Sequence, residues 1–206
     1  MVVVTRLLVS AILTPPLVLA TAAVPAPFTP IKLFIIFKTV LAALLAAAPR
    51  ADLDALVAEL DPAFGDSLLD LGCGFGGIAV ELHHRSGAEI VGVDISSRAV
   101  AIATARARDA GVGASVRFLV GDLARPPRVG ARGAYAIDSL MFVPDLAEEM
   151  CGIGDVLGSG GRLFATVLVP GSASQTRLRG LLEAAGARVE RLDNVTAALA
   201  ERSRAR

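Results

Sequence analysis

The 206-residue chain is poor in lysine, cysteine, histidine and tyrosine, and each shortage excludes something. Lysine occurs only at Lys32 and Lys38, so arginine carries nearly all the positive charge, as a codon-composition bias would produce. Acids and bases balance to a formal net charge of +0. No broad basic surface is encoded, so a nucleic-acid partner is not expected, because binding a polyanion draws on the release of its counterions. The two cysteines, Cys73 and Cys151, form no CxxC pair and no zinc-ligand spacing, and they imply neither a metal site nor a disulfide framework. A reducing compartment suits that usage. The histidines are the adjacent His83 and His84, and Tyr135 is the single tyrosine, so candidates for a general base are few.

What is plentiful is apolar. Hydrophobic residues make up 54% of the chain and the mean hydropathy is +0.63, more than an ordinary soluble core requires. The length suits one domain with something added. The composition divides near Pro49, giving an apolar segment over 1–49 and a domain of ordinary globular patterning over 50–206.

Leu7–Ile31 carries no charged residue and is long enough to cross a bilayer, with Arg6 and Lys32 at its flanks. Pro15-Pro16 would kink or break a helix there. A second apolar run, Leu33–Ala48, contains Lys38. Four readings stay open. They are a membrane anchor or helical hairpin through 7–48, a signal peptide cleaved near Ala20-Thr21-Ala22, a buried cap over the domain, and a start assigned upstream of the true one. Arg6 and Arg50 near the two ends suit a hairpin with both ends in the cytoplasm, whereas Lys32 and Lys38 fall near the loop that would lie outside.

Beyond Pro49 the pattern predicts helices alternating with strands. An amphipathic helix over Ala51–Leu60 precedes a strand at Ser67–Leu71, a turn at Gly72–Gly77 and a helix at Ile78–Ser86. Strand Glu89–Val93 ends at Asp94, helix Ser97–Ala110 stops at Gly111, and strand Ser115–Val120 ends at Gly121-Asp122. Strand Gly133–Ile137 ends at Asp138, and helix Asp145–Val156 leads through the turn Gly158–Gly161 to strand Arg162–Leu168. Helix Arg177–Ala185 and strand Arg188–Leu192 follow, then a helix-like tail at Ala197–Arg206. The fold class is α/β, a doubly wound, Rossmann-like and mostly parallel sheet flanked by helices.

The chemistry concentrates in Leu68-Leu69-Asp70-Leu71-Gly72-Cys73-Gly74-Phe75-Gly76-Gly77, an apolar strand that runs into glycines and then a helix. Glycines let the backbone turn sharply and approach a ligand with no Cβ in the way. The helix behind presents free N–H groups and the positive end of its dipole. Cys73 suits a small filler within the turn. Asp94 ends the next strand about twenty residues on, where a carboxylate can accept from both ribose hydroxyls. Asp122 at the third strand end can meet an exocyclic amine, and Asp138 at the fourth faces the place for a reacting group. Singly, each acid could be a helix cap or a turn former. Acids at the ends of successive strands, all on one edge of the sheet, point to a ligand.

These segments resemble the class I S-adenosylmethionine-dependent methyltransferases, in their small-molecule branch. Leu69–Gly77 is similar to that family's first motif, an acid followed by GxGxG. Val91–Ser96, Phe118–Leu123 and Ala136–Leu140 are similar to its second, third and fourth strand motifs. Val156–Leu163 resembles the turn before its fifth strand, with Ser159 in place of the usual proline. The likeness covers roughly residues 66–196.

The resemblance implies S-adenosylmethionine as cofactor and a residue-by-residue site. Asp70 and Gly72 would lie near the methionine part, with Cys73 in the turn and Gly74 and Gly76 giving room. Asp94 would hold the ribose, with Ile95 against the adenine; Asp122 would meet the adenine amine, with Leu123 beside it. Asp138 and Ser139 would line the methyl-transfer side. The sulfonium is already a strong donor, so alignment and exclusion of water are the main tasks. A base is needed only if the acceptor must lose a proton, and no residue stands out for it. His83 and His84 read as surface residues and Tyr135 as core. The expected partner is a small-molecule or lipid-like acceptor, and the expected location is the cytoplasm, where the methyl donor is kept, or the cytoplasmic face of the membrane if residues 7–48 anchor the chain.

The sequence departs from the family at both ends. The N-terminal region is aliphatic, with Phe28, Phe34 and Phe37, and suits a greasy lid or an anchor. The family sheet closes with a seventh, antiparallel strand, and no such strand is left after Leu192. A non-catalytic, membrane-tethered binding module is therefore a second reading. A nicotinamide-dependent oxidoreductase is a third. Against it, Gly72-x-Gly74-x-Gly76 is not GxGxxG, and Ser139 stands four residues after Tyr135 where a short-chain dehydrogenase has lysine.

Overall fold

A computed structural model describes residues 2–11, 49–123, 125–140, 146–170 and 174–194. Seven strands form one sheet: β1 (Val2–Ala11), β2 (Ser67–Leu71), β3 (Glu89–Asp94), β4 (Val116–Val120), β5 (Gly133–Ile137), β6 (Arg162–Pro170) and β7 (Ala187–Asn194). The helices are α1 (Pro49–Leu60), α2 (Gly77–Ser86), α3 (Ser97–Asp109), α4 (Leu146–Leu157) and α5 (Ser174–Ala184). Each predicted element after Pro49 that falls within the described residues is present, with its ends moved by a few residues.

The strand order is β4-β3-β2-β5-β6-β1-β7. Strands β2 to β6 pair in parallel. The chain first builds outward from β2 to β3 and β4, then crosses back to place β5 on the other side of β2. That reversal opens a crevice at the carboxyl ends of β2 and β5, the place where such sheets take ligands.

Successive residues of the central strands serve opposite faces, as strand pleating requires. Leu68 and Ile90 join a core with Leu53, Leu56 and Leu60 of α1, Leu82 of α2 and Val100 and Ala103 of α3. Leu69, Leu71, Val91 and Val93 join another with Met150 and Ile153 of α4 and Leu178 and Leu182 of α5. Burial on both faces explains why these strands read as nearly continuous apolar runs. Helix α3 starts where Ser96 Oγ accepts from the Ala99 N–H at 3.2 Å. Helix α2 ends at Gly87, in the left-handed conformation with φ 71°.

The N-terminus changes two expectations. Residues 2–11 form β1, which lies antiparallel between β6 and β7, with Val2 opposite Pro170 and Ser10 opposite Arg162 on one side. On its other side Thr5 pairs with Asn194 and Ala11 with Ala187, with a register shift between Leu8 and Val9. An antiparallel strand next to β6 is thus supplied by the N-terminal residues. The apolar run that begins at Leu7 opens inside this strand, so Leu7–Ala11 belongs to the sheet and starts no membrane span. Residues 12–48, which carry the rest of that run and the second one, lie outside the described residues, as does the helix-like tail 197–206. Among the described residues no helix is long and apolar enough to cross a membrane.

Candidate functional site

The crevice is built on the turn after β2. Gly72, at φ 80°, and Cys73 both donate backbone N–H to the Val93 carbonyl, at 2.8 and 3.0 Å, which ties the turn to β3. The three expected glycines are required for different reasons. A Cβ on Gly72 would collide with Ser139 Cβ, so this turn and the residues after β5 pack backbone to side chain. A Cβ on Gly76 would lie 2.6 Å from the Phe118 ring and 2.8 Å from Ala103 Cβ, which is a packing demand from α3 and β4. At Gly74, φ 53°, an added Cβ would meet nothing within 4 Å: here the backbone faces open space. Cys73 is buried behind the turn, against β3 where Gly92 leaves room for it. Burial raises its thiol pKa far above the ordinary value, so it stays protonated. The filler reading fits that position.

The acids that end the strands are held in different ways. Asp94 Oδ2 accepts from the Gly74 N–H at 2.9 Å, and Oδ1 accepts from the Ser96 N–H at 2.9 Å. Ser96, not Asp94, caps α3. Ile95 beside it is 77% exposed. Gly121 donates its N–H to the Asp94 carbonyl at 3.1 Å, which brings Asp122, an exposed residue, to the same edge. Leu123 reaches inward, its Cδ1 3.7 Å from the Cβ position of Gly72. Asp138 sits in the left-handed region at φ 54°, which aspartate tolerates better than most residues. Thr166 on β6 holds it there: its Oγ1 donates to Asp138 Oδ1 at 2.8 Å and accepts from the Asp138 N–H at 2.9 Å. Ser139 Oγ donates to the Leu71 carbonyl at 2.5 Å, joining the ends of β5 and β2.

Gly72, Gly74, Asp94, Ile95, Asp122, Leu123, Asp138 and Ser139 therefore gather at one edge, around the crevice. Asp70 lies beneath the turn and is buried, with Oδ2 lacking a hydrogen-bond partner among the described residues. Burial raises its pKa to about 7; the neighbouring Tyr135 hydroxyl works against that rise and the charge of Asp94 adds to it. Cys73 and Gly76 face the interior, so their part in a site is to shape the turn.

The histidines are far from this edge. They occupy the last turn of α2, where His83 Nδ1 bonds to the Ala88 carbonyl oxygen at 2.7 Å and His84 is exposed. Tyr135 is fully buried in β5, as its place in an apolar strand implies. Among the described residues no cluster of histidine, cysteine and acids could hold a metal ion. Two residues leave no signal in the sequence: Thr166, which fixes Asp138 from another strand, and Glu149, whose buried Oε1 has no hydrogen-bond partner among the described residues. Ser96 carried a local signal, a serine three residues before the start of apolar helical spacing.

A family profile for a methyltransferase domain matches residues 68–161. The methyltransferase GfsG of Streptomyces halstedii is 32% identical over 131 residues, which span 62% of this chain and 47% of that protein. The structure of geranyl diphosphate C-methyltransferase from Streptomyces coelicolor A3(2), solved with Mg2+, geranyl diphosphate and S-adenosyl-L-homocysteine, superposes with a TM-score of 0.55 at 27% identity, over 65% of this chain and 53% of that one. The [4+2]-cyclase SpnF superposes with a TM-score of 0.61 at 28% identity, over 68% of this chain and 56% of that one. The chain thus spans about half the length of the proteins it matches.

Proposed function

We infer that this chain, whose residues 68–161 form a class I methyltransferase domain, transfers a methyl group from S-adenosylmethionine to a small-molecule acceptor. The observation that carries the reading is the joint between Gly74 and Asp94. An open backbone bend and a carboxylate that ends the adjacent strand are fixed to each other by one hydrogen bond, at the mouth of the crevice.

The residues present fit such a cofactor. Among the described residues each Asp94 oxygen accepts from one backbone N–H, which leaves lone pairs for two ribose hydroxyls. Ile95 and Leu123 offer apolar surfaces for an adenine, and Asp122 an acceptor for its amine. Asp70 places a carboxyl under the turn for the methionine end, with Gly72 letting the chain pass and Gly74 leaving space above. Carboxyls at Asp70, Asp94, Asp122 and Asp138 make the site favourable to a positively charged ligand. When bound, S-adenosylmethionine supplies an activated methyl group. The chain's task is to align the acceptor and keep water out, and Asp138 and Ser139, fastened to β6 and β2, form the rigid side against which an acceptor would lie.

Two observations favour a lipid-like acceptor. Phe75, in the Gly-rich turn, is 57% exposed. The superposable C-methyltransferase was solved with geranyl diphosphate, an apolar chain on a polar head. A second reading, cofactor binding without methyl transfer, is supported by the superposable [4+2]-cyclase, since one fold hosts several reactions.

The test is formation of S-adenosylhomocysteine from S-adenosylmethionine by the full chain, with prenyl and aromatic hydroxyl compounds as acceptors. Acceptor-dependent product supports methyl transfer. Tight binding with no product for any acceptor supports the second reading.

A further inference from the structure

Asp70 and Tyr135 are opposite one another in the parallel register of β2 and β5, at the point where the strand order reverses. Both side chains are buried, Asp70 at 3% exposure and Tyr135 at 0%. Asp70 Oδ2 and Tyr135 Oη are each without a hydrogen-bond partner among the described residues, although each lies within the other's electrostatic reach. A buried hydroxyl left unpaired costs free energy unless something is gained by keeping it. Phenylalanine would fill the same space with no polar atom to satisfy.

We propose that Tyr135 is a positioning residue for Asp70: the two orphaned groups turn to each other, the hydroxyl donating to the carboxylate, favouring its anionic form and aiming it at the ammonium group of the bound cofactor. This rests on the cofactor reading given above and adds a proton-linked step to it. The groups that face Asp70 are Tyr135 on β5, Asp94 at the end of β3 and the protonated Cys73 in the turn. Tyr135 is the donor among them. Its own hydroxyl is pushed well above the ordinary range, by burial first and by the Asp70 charge second, so it remains a donor at every working pH. Asp70, raised to about 7, is partly protonated in the free protein. Binding a cation beside it expels that proton, so affinity rises with pH through about 7 and then levels.

The experiment is calorimetric binding of S-adenosylhomocysteine, which keeps the ammonium group, to the full chain between pH 6 and pH 9. Affinity is expected to fall about tenfold from pH 8 to pH 6, with proton release on binding. Tyr135→Phe removes the donor, so the midpoint is expected to move up by about one pH unit and binding at pH 7 to weaken about fivefold. Glu149 also titrates near 7, and Glu149→Gln is expected to leave the profile in place. A Tyr135→Phe profile that superposes on the wild type would overturn the proposal. Absence of binding at every pH would instead overturn the cofactor reading and the proposal with it.

A second measurement needs no loss of the tyrosine. Tyr135 is the single tyrosine of the chain, so 3-fluorotyrosine gives one 19F signal. That signal is expected to titrate near pH 7 in the free protein and to become flat in Asp70→Asn. A flat signal in the wild-type background contradicts the pairing.

Discussion

The Gly74 N–H donates to Asp94 Oδ2 at 2.9 Å, so the Gly-rich turn and the acid at the end of β3 are one piece of structure. Asp94 also accepts from Ser96, the residue that caps α3. Removing this carboxylate takes away a proposed ribose ligand and the brace of the turn together. Asp94→Ala is expected to weaken S-adenosylhomocysteine binding about tenfold or more, the loss appropriate to charge-assisted hydrogen bonds, in a protein that still folds. Unchanged affinity would refute the ribose assignment.

Two glycines of the same turn separate binding from folding. Gly74→Ala introduces a methyl group into open space at φ 53°, so it is expected to cost about 1–2 kcal/mol in stability while obstructing the cofactor's approach. Gly76→Ala drives a methyl group into Phe118 and Ala103, and overpacking added to the left-handed backbone is expected to cost on the order of 3 kcal/mol. Thermal melts beside binding isotherms read the contrast. Equal effects of both variants on stability and binding would mean that the open space at Gly74 has no special role.

Glu149 supplies a prediction about pH. It is buried at 1% exposure in the first turn of α4, with Oε1 lacking a hydrogen-bond partner among the described residues, and its pKa is raised to about 7 by burial first and by the charges of Asp122 and Glu148 next. A carboxyl whose folded pKa lies above its unfolded value binds more protons folded than unfolded. Stability is therefore lost as pH rises from about 4.5 to about 7, and the loss persists above. Glu149→Gln is expected to melt higher than the wild type at pH 8 and to differ little at pH 4. A variant that melts lower at pH 8 would show that the carboxylate has a partner that matters.

The core and most of the site were readable because their signals are local. Glycines, strand-ending acids and apolar runs fall within a few residues of each other from Leu68 to Asp94, and pleating and turn chemistry act on that scale. β1 is not set apart by its apolar run, because a strand with neighbours on both sides and a membrane span both appear as uninterrupted apolar residues. Its opening Val2-Val3-Val4-Thr5 is rich in β-branched residues and favours the strand. The hydrogen bonds of Thr166 with Asp138, and the juxtaposition of Tyr135 with Asp70, depend on which strands become neighbours. Neither pair leaves a mark in sequence spacing.

The place of β1 has its own consequence. Deleting residues 1–11 would remove the partner of both β6 and β7 and expose two strand edges. The truncated chain is expected to melt at lower temperature and to aggregate more readily than the full chain. A truncated protein as stable as the full chain would mean that β1 contributes little to the sheet.

The central claim is that the crevice at β2 and β5 takes S-adenosylmethionine, and the most direct measurement is calorimetric titration of the full chain with S-adenosylhomocysteine at pH 8, with NAD as control. Micromolar binding of the first at one site per chain, and none of the second, is the expected result. A folded chain that binds NAD, or neither ligand, would contradict it.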